Sequence, residues 1–202
     1  MSDVVLIDNG GANIASLRYA LQRLGATCQL TDNPREIRAG RRVILPGVGA
    51  AADAMHRLRV LELVETLQTL TQPVLGICLG MQLLFAESEE GTDGESTDCL
   101  GIIAERVSRF SARPDLPVPH MGWNQLSPVG DSPLLRGIEP GDHVYYVHSY
   151  AAPVGPYTIA STDYGGEFSA AVKFENFFGV QFHPERSART GSRVLANFLE
   201  LG

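Results

Sequence analysis

The stretch Val74-Leu75-Gly76-Ile77-Cys78-Leu79-Gly80 places a short apolar run directly before a cysteine that lies among glycines. Residues 74–77 have the composition of a strand that is buried on both faces, and residues 80–86 have the pattern of a helix. At such a strand-to-helix turn the backbone folds back closely, which requires small residues near the central one. The stretch therefore predicts a βα unit with Cys78 at its turn.

Alternating strands and helices are predicted upstream of this unit. We expect strands at residues 4–7, 27–30 and 43–45. Three helices are expected between and after them: one carries Leu17, Ala20, Leu21 and Leu24 on one face, a short one begins at Asn33-Pro34, and the third covers residues 51–70. Strands and helices in this order are typical of a parallel sheet with helices on both faces. The chain therefore predicts an α/β fold with a doubly wound, flavodoxin-like and mostly parallel central sheet.

The pattern changes downstream of the unit. Residues 87–98 are polar and acidic, which favours a mobile surface loop. Short strands broken by Pro and Gly follow and predict a smaller antiparallel β region; they are expected at residues 102–110, 143–150, 158–162, 170–174 and 179–182. A final helix is predicted from the shared face of Val194, Leu195, Phe198 and Leu199. Because no repeat or linker interrupts the chain, we expect one domain over residues 1–202.

Composition and charge narrow the range of functions. The 202 residues carry a net charge of −7 with scattered basic residues, which disfavours nucleic-acid binding. No apolar stretch approaches the roughly 18 residues of a membrane-spanning helix, and the N-terminus lacks signal-peptide features. Cys28, Cys78 and Cys99 are widely spaced and have no neighbouring cluster of metal ligands. We therefore expect no membrane role, no metal, no disulfide scaffold, and a reducing, cytoplasmic setting.

Cys78 is the first candidate for chemistry. A thiol on the predicted elbow would lie at a helix N-terminus, where the helix dipole favours the nucleophilic thiolate. The alternative is a buried structural cysteine, since many cysteines are inert core residues. The five residues 76–80 alone leave both interpretations open.

A second signal is Val180-Gln181-Phe182-His183-Pro184-Glu185. At a strand end, His183 and Glu185 would point to the same side, and the carboxylate could orient the imidazole. Alone, an ordinary solvated strand end explains the pair better. Together with Cys78, however, the pair forms the set expected of a cysteine acyl-transfer enzyme. His56, His120, His143 and His148 lack so near a carboxylate, and His148 is the nearest rival base.

The third signal is Pro46-Gly47-Val48-Gly49, which also follows a predicted strand. Ligands of open parallel sheets bind at the carboxyl ends of strands, and glycines there can turn backbone N–H groups toward a developing oxyanion. The amide of Leu79 would be the second donor. A plain turn is the alternative, and taken alone it is the better explanation.

The chain resembles the class I, or triad, glutamine amidotransferases in Gly76-Ile77-Cys78-Leu79-Gly80-Met81-Gln82 and in Gly179-Val180-Gln181-Phe182-His183-Pro184-Glu185. The resemblance implies the fold of that class and no cofactor. It also implies a catalytic triad of Cys78, His183 and Glu185 that hydrolyses L-glutamine through a thioester. The resemblance further implies that substrate binding and oxyanion stabilisation involve Gly47, Val48, Gly49, Leu79, Gln82, Ser149 and Tyr150.

Within that class the chain is similar to the glutaminase subunits of imidazole glycerol phosphate synthases. The similarity lies in Pro46-Gly47-Val48-Gly49, Pro119-His120-Met121-Gly122-Trp123-Asn124 and Tyr145-Tyr146-Val147-His148-Ser149-Tyr150. It implies a heterodimer with a (β/α)₈-barrel cyclase subunit that receives the ammonia and makes imidazole glycerol phosphate and an aminoimidazole carboxamide ribotide in histidine biosynthesis. Partner-interface positions implied are Asn13, Pro119, Met121, Trp123 and Tyr145.

The first loop departs from the pattern of that family. Similar proteins usually carry an aromatic residue after the first Asp, and a Gly-x-Gly-Asn loop. Here Asn9 follows Asp8, and Ala12 precedes Asn13. Because this loop is expected to face the partner, its contacts are expected to differ in detail.

Three alternatives remain at the level of sequence. The first is a glutaminase subunit that serves anthranilate or aminodeoxychorismate synthesis, although such proteins tend to carry His at the position of Met81 and lack the segment 119–124. The second is a stand-alone cysteine peptidase or other cysteine hydrolase. The third is a non-catalytic binding module that retains the fold.

Overall fold

Five parallel strands form the half of the sheet that carries the cysteine. The computed structural model describes residues 2–10, 14–91, 95–114 and 116–202. Its parallel strands are β1 Val4–Ile7, β2 Cys28–Thr31, β3 Val43–Gly47, β4 Val74–Cys78 and β14 Phe177–Val180, in the order β2-β1-β3-β4-β14. This is the 2-1-3-4-5 order of flavodoxin-like sheets, so the predicted doubly wound α/β fold is confirmed.

Three antiparallel strands extend the same sheet beyond β14. They are β13 Glu167–Phe174, β12 Thr158–Asp163 and β9 Ser127–Pro128, which give the full order β2-β1-β3-β4-β14-β13-β12-β9. In the part of the chain that the structure describes, two further small sheets are present. One pairs β8 His120–Gln125 with β10 His143–His148, and the other has the order β11-β7-β5-β6, with β5 Phe85–Ser88, β6 Thr97–Asp98, β7 Ile103–Arg109 and β11 Tyr150–Ala151.

Helices cover both faces of the sheet. They are α1 Ile14–Arg23, α2 Pro34–Ala39, α3 Ala51–Val60, α4 Val64–Gln68, α5 Leu79–Gln82 and α6 Ala188–Glu200, with 3-10 turns at Pro133–Leu135 and Pro184–Arg186. The N-cap of α2 is as predicted, because Oδ1 of Asn33 accepts from the Arg35 amide at 2.9 Å and Pro34 takes the first position. None of the helices in the described ranges is long and apolar enough to cross a membrane.

The apolar side chains divide into two layers, one on each face of the parallel strands. Leu6, Ile44 and Ile77 pack with α1 and α6 on one face. Leu45 and Val74 pack with α3 and α4 on the other. Alternate residues of each strand therefore bury toward opposite layers, which explains the continuous apolar runs by which the strands were predicted.

The structure corrects several local predictions. The helix expected at residues 80–86 ends at Gln82, since Phe85–Ser88 pairs with β7 as a strand. The helix expected at residues 51–70 is broken into two, with Glu62 at a positive φ of 55° between them. Part of the predicted loop 87–98 is strand β6. Strands β8 and β9 were not predicted, because neither carries an apolar run.

The elbow at Cys78 depends on very close backbone contacts. A Cβ on Gly80 would lie 1.9 Å from the carbonyl oxygen of Leu45 in β3, and one on Gly76 would lie 2.5 Å from the carbonyl oxygen of Gly80. A Cβ on Gly47 would lie 2.6 Å from the amide of Gly80. Distances below about 3 Å are not tolerated between these atoms, so the glycines are required by packing. They hold the end of β4 against the end of β3.

We expect Gly80→Ala to lower the free energy of unfolding by at least about 3 kcal/mol, because the clash is with backbone that cannot move aside. Gly130→Ala is the control. Its φ is +68°, but an added Cβ meets nothing within 4 Å, so only about 1 kcal/mol for the left-handed backbone should be lost. Urea unfolding followed by circular dichroism measures both. Equal losses in the two variants would contradict this account of the elbow.

Candidate active site

Cys78 lies at the turn between β4 and α5 with φ 54° and ψ −112°. A positive φ is uncommon for a residue with a side chain, and here the close packing of the neighbouring glycines holds it in place. Its Sγ is 3.9 Å from the carbonyl oxygen of Val147 and 3.8 Å from Nε2 of Gln181. Because α5 has only four residues, its dipole is weaker than that of the longer helix predicted from the sequence.

His183 follows strand β14 and opens the 3-10 turn Pro184–Arg186. Its Nδ1 is 3.0 Å from Oε1 of Glu185, and both side chains are less than one-tenth exposed. The backbone of His183 is also held, because its amide donates to the Tyr145 carbonyl at 3.0 Å and its carbonyl accepts from Oγ of Ser187 at 2.7 Å. The imidazole therefore has a fixed orientation, with Nδ1 toward the carboxylate.

The electrostatic setting of His183 favours the imidazolium. Burial by itself lowers the pKa of the ring, but the interactions with Cys78 and Glu185 outweigh burial and raise the pKa of His183 to about 10. Nε2 of His183 is buried and makes no hydrogen bond of ordinary geometry within the described part of the chain. This nitrogen is therefore available to exchange a proton with a bound molecule.

A cavity of about 390 Å³ joins these side chains. It brings together six separate parts of the chain: the residues after β3, the elbow with α5, Glu90, Pro119, residues 147–150 at and after the end of β10, and the turn after β14. Its lining consists of Val48, Gly49, Cys78, Leu79, Gln82, Glu90, Pro119, Val147, His148, Ser149, Tyr150, His183, Glu185 and Arg186. A free amino acid fits in a space of this size.

All three residues of the predicted triad, and every predicted substrate-binding or oxyanion position except Gly47, line this cavity. Gly47 lies beside the cavity, where it packs against Gly80. Asn13 lies outside the described residues. Asn9 of the same first loop is buried, and its Nδ2 donates to the Pro46 carbonyl at 3.1 Å. Asn9, which departs from the family pattern, therefore contacts the residue that precedes Gly47.

The remaining residues predicted for the partner interface lie on β10 and on or just before β8, where Met121 is paired with the lining residue Val147. Met121 and Trp123 of β8 are 63% and 53% exposed, and they lie two residues apart on the same face of the strand. The Trp123 and Tyr145 rings meet edge to face at 5.9 Å, and the Arg186 guanidinium lies 4.5 Å from the centre of the Tyr145 ring. Pro119, just before β8, lines the cavity itself. An exposed aromatic surface is therefore continuous with the cavity.

Glu90 is a lining residue that sequence reasoning missed. It was assigned to a mobile acidic loop, but its Oε2 accepts from the Ala51 amide at 3.0 Å at the start of α3. Burial raises the pKa of Glu90, and the hydrogen bond from Ala51 opposes that effect. The acidic composition of this segment could not distinguish Glu90 from its neighbours. Glu87 and Glu89 lie outside the cavity, where both are ion-paired with Arg106.

The nearest rival base, His148, is unsuited to that role. It also lines the cavity, but burial lowers the pKa of His148 to about 3. Its two ring nitrogens are already hydrogen bonded, Nδ1 to the Tyr150 carbonyl at 2.8 Å and Nε2 to His120 at 3.0 Å. His183 is thus the histidine of the cavity with a nitrogen free to act.

Comparison with known proteins places the chain in a family. The profile described as glutamine amidotransferase class-I matches residues 5–201. The chain is 52% identical over 201 residues to imidazole glycerol phosphate synthase subunit HisH of Xanthomonas campestris pv. campestris, covering 100% of this chain and 98% of that protein. It is 48% identical over 205 residues to the HisH subunit of Shewanella loihica, covering 98% and 91% of the two chains.

The fold is also found among solved structures. The structure of PurLQS from Thermotoga maritima superposes with a TM-score of 0.70 at 19% identity, covering 98% of both chains. Such a likeness at low identity shows the shared fold alone.

We expect Glu185→Gln to lower the pKa of His183, because the carboxylate is one of the two groups that raise it. The folded-state pKa lies above the ordinary value of 6.5, so the protonated ring contributes stability that is complete below pH 6.5 and lost as pH rises through about 10. In the variant this loss should still begin near pH 6.5, but it should be smaller and should end at lower pH. Nitrogen-15 NMR titration measures the pKa, and Glu200→Gln, at an exposed ion pair with Arg136, is the control. An unchanged titration would contradict the assignment.

Proposed function

The chain belongs to the class I glutamine amidotransferases, in the family of the imidazole glycerol phosphate synthase subunit HisH, and on that premise we propose how its residues act. It is the glutaminase subunit of that synthase. Cys78, His183 and Glu185 hydrolyse L-glutamine to glutamate and ammonia, and the ammonia passes to a separate cyclase subunit. The observation that carries the proposal is the buried Glu185–His183 pair beside Cys78 in one amino-acid-sized cavity.

The first half of the reaction forms a thioester. The Cys78 thiolate attacks the side-chain amide carbon of glutamine, and the carbonyl oxygen becomes an oxyanion. Nε2 of His183 gives its proton to the amide nitrogen, the C–N bond breaks, and ammonia leaves. The imidazolium needed for this step is the form that Glu185 and Cys78 favour. Glu185 holds Nδ1, which leaves Nε2 as the nitrogen that moves the proton.

Two backbone regions are suited to stabilising the oxyanion. The Leu79 amide follows the nucleophile, and Val48 and Gly49 line the cavity directly after β3, the strand that pairs with β4. One such donor is worth roughly 3 kcal/mol of transition-state stabilisation. Gly49 has φ +90°, so its peptide adopts an orientation that is costly for other residue types.

The second half of the reaction releases glutamate. After ammonia has left, His183 is neutral and Nε2 can accept a proton from water. The resulting hydroxide attacks the thioester carbon, the C–S bond breaks, and the Cys78 thiolate returns beside an imidazolium. Atoms and charge therefore balance over the cycle with no cofactor.

Glutamine recognition would use polar groups at the far side of the cavity. The Gln82 amide and the segment Ser149 to Tyr150 line it, as does Glu90. Both hydrogens of Gln82 Nε2 are used within the protein, by the Tyr150 carbonyl at 2.8 Å and Oε1 of Gln181 at 2.9 Å. Oε1 of Gln82 is thus the atom that meets substrate donors. The Glu90 carboxylate is suited to the α-ammonium of the free amino acid.

The partner is proposed to be a (β/α)₈-barrel cyclase that uses the ammonia to form imidazole glycerol phosphate. Ammonium in water is not a nucleophile, so direct transfer between two sites preserves the reactive form. The exposed Met121 and Trp123 with Tyr145 form a surface of the kind that supplies interface hot spots, and Pro119 continues it to the cavity. Asn13 of the first loop is proposed to contact the same partner. The free state of Cys28, Cys78 and Cys99 fits a reducing cytoplasm.

The alternatives are less well supported. HisH relatives match the full chain at about half identity, which favours this synthase over those of anthranilate or aminodeoxychorismate. A stand-alone hydrolase would not need the exposed apolar surface of Met121, Trp123 and Tyr145 beside the cavity. A non-catalytic module would have no need of the buried His183–Glu185 pair, whose desolvation is costly.

We expect Cys78→Ala to lower glutamate release by at least about a thousandfold, because no other group can form the thioester. Glutamate release is measured with and without the cyclase subunit. Cys99→Ala, which removes a thiol outside the cavity, should keep normal activity. The variant at Cys78 should also fold and bind the cyclase normally, so full activity in that variant would refute the proposed nucleophile.

A separate test concerns Glu90. Glu90→Gln keeps an oxygen that can accept from the Ala51 amide but removes the negative charge, so KM for glutamine should rise about tenfold or more with little change in kcat. Glu89→Gln, one residue away and outside the cavity, is the matched control. A KM that is equal in the two variants would show that Glu90 does not bind the ammonium.

A further inference from the structure

Two buried histidines connect strands β8 and β10 beside the cavity. His120 and His148 are directly opposite each other in the antiparallel register, and Nδ1 of His120 is 3.0 Å from Nε2 of His148. Their residues are 3% and 6% exposed. The proposed hydrolysis uses neither ring. Two imidazoles buried in contact with each other require an explanation, because each must be kept neutral and each nitrogen must be satisfied.

The hydrogen-bond partners determine where each proton lies. The Tyr150 carbonyl can only accept, so Nδ1 of His148 carries the hydrogen, and Nε2 of the neutral ring is an acceptor. Nδ1 of His120 must then donate to that Nε2. Nε2 of His120 is left as an acceptor, and Asn124 Nδ2 lies 3.3 Å from it. Both rings therefore have the hydrogen on Nδ1.

The far end of this chain is fixed by Asn124. Its Oδ1 accepts from the Gln125 amide at 2.8 Å, and its Nδ2 also donates to the Asp163 carbonyl at 2.9 Å. The amide can thus present only its NH₂ group to His120. The hydrogen bonds are therefore donated in one direction: Asn124 donates to His120, His120 donates to His148, and His148 donates to the Tyr150 carbonyl.

The near end of the chain reaches the glutamine site. The Tyr150 carbonyl that accepts from His148 also accepts from Nε2 of Gln82 at 2.8 Å. The second hydrogen of that Gln82 nitrogen goes to Oε1 of Gln181, whose own Nε2 is 3.8 Å from Cys78 Sγ. The position of the Gln82 amide in the cavity therefore depends on a carbonyl that His148 holds.

Aromatic packing makes the imidazole pair rigid. The His120 ring lies between the Tyr164 ring at 3.9 Å and the Tyr146 ring at 4.8 Å, nearly parallel to both. The His148 ring lies 5.1 Å from the rings of Phe110 and Phe168. Burial lowers the pKa of His120 to about 4 and that of His148 to about 3, in agreement with neutral rings. Stacking on the faces of His120 and the edge-on or tilted contacts of His148 restrict both rings, so the pair can support a carbonyl with little loss of order.

We propose that His120 and His148 are positioning residues: two neutral imidazoles with the hydrogen on Nδ1 that hold the Tyr150 carbonyl and, through it, the Gln82 amide in the geometry that binds glutamine. The proposal rests on the function proposed above, in which Gln82 contacts the substrate. His148 touches the cavity, whereas His120 acts only through His148. Removing the hydrogen bond that His120 donates to His148 should therefore lower the affinity for glutamine and leave the chemical step intact.

Nitrogen-15 NMR of the wild-type chain in complex with the cyclase subunit tests the tautomers without any substitution. At pH 7 the His120 and His148 rings should each give one protonated nitrogen, and in both it should be Nδ1. A hydrogen on Nε2 of either ring, or a doubly protonated ring, would overturn the proposal.

Kinetics with His120→Phe test the consequence. Phenylalanine keeps the stacking between Tyr146 and Tyr164 but removes the donor to His148. In the complex, KM for glutamine should rise about tenfold, the loss expected for one hydrogen bond. The kcat for each active site, counted by labelling Cys78 with a glutamine-derived electrophile, should change less than about threefold. His120→Asn, whose amide can donate at the position of Nδ1, should recover most of the affinity.

Tyr146→Phe is the matched control. It removes a buried hydrogen bond to Thr162 at 2.7 Å from the same aromatic cluster but leaves the Asn124-to-Tyr150 chain intact. If His120 were only structural, both variants would lose active sites and stability with KM unchanged, which would refute the proposal. Failure of Cys78→Ala to abolish glutaminase activity would instead refute the proposed function, so the two failures are distinguishable.

Discussion

The pairing of β4 with β14 is the constraint on which the rest of the site depends. Gly179 lies opposite Gly76 and Val180 opposite Ile77 in parallel register, although the two strands are about a hundred residues apart in the chain. Parallel strands end at the same edge of the sheet, so this register alone places the elbow at Cys78 beside the turn at His183. A slip of one residue would turn His183 to the other face.

The chemistry at that edge follows from exclusion of water. His183 and Glu185 are both buried, and a buried imidazole would ordinarily lose its proton. The nearby carboxylate and the Cys78 side chain reverse that tendency and raise the pKa of His183 to about 10. The two buried histidines of β8 and β10 show the opposite outcome, because burial dominates there and lowers the pKa of both rings. Histidines in and beside one cavity are therefore expected to take different protonation states.

Local sequence predicted most elements of the parallel half and fewer of the rest. The strand at Val4–Ile7 and the cap at Asn33 were predicted because apolar runs and capping residues act over a few positions. The end of the helix after Cys78 was predicted four residues too late, since residues 85–88 pair with β7, which lies outside the local pattern. Glu90 was missed for a similar reason: only the start of α3 shows that this carboxylate is held at the cavity.

By itself, the sequence determined the fold and predicted the groups that we propose to react. The glycines around Cys78, the pair His183 and Glu185, and the alternation of apolar strands with helices can all be read locally, because each depends on near neighbours. Tertiary structure decided which histidine has a raised pKa, which carboxylate enters the cavity, and how the Gln82 amide is held. Those properties depend on burial and on hydrogen bonds between residues up to about a hundred positions apart, as between Gln82 and Gln181, and no local pattern encodes such distances.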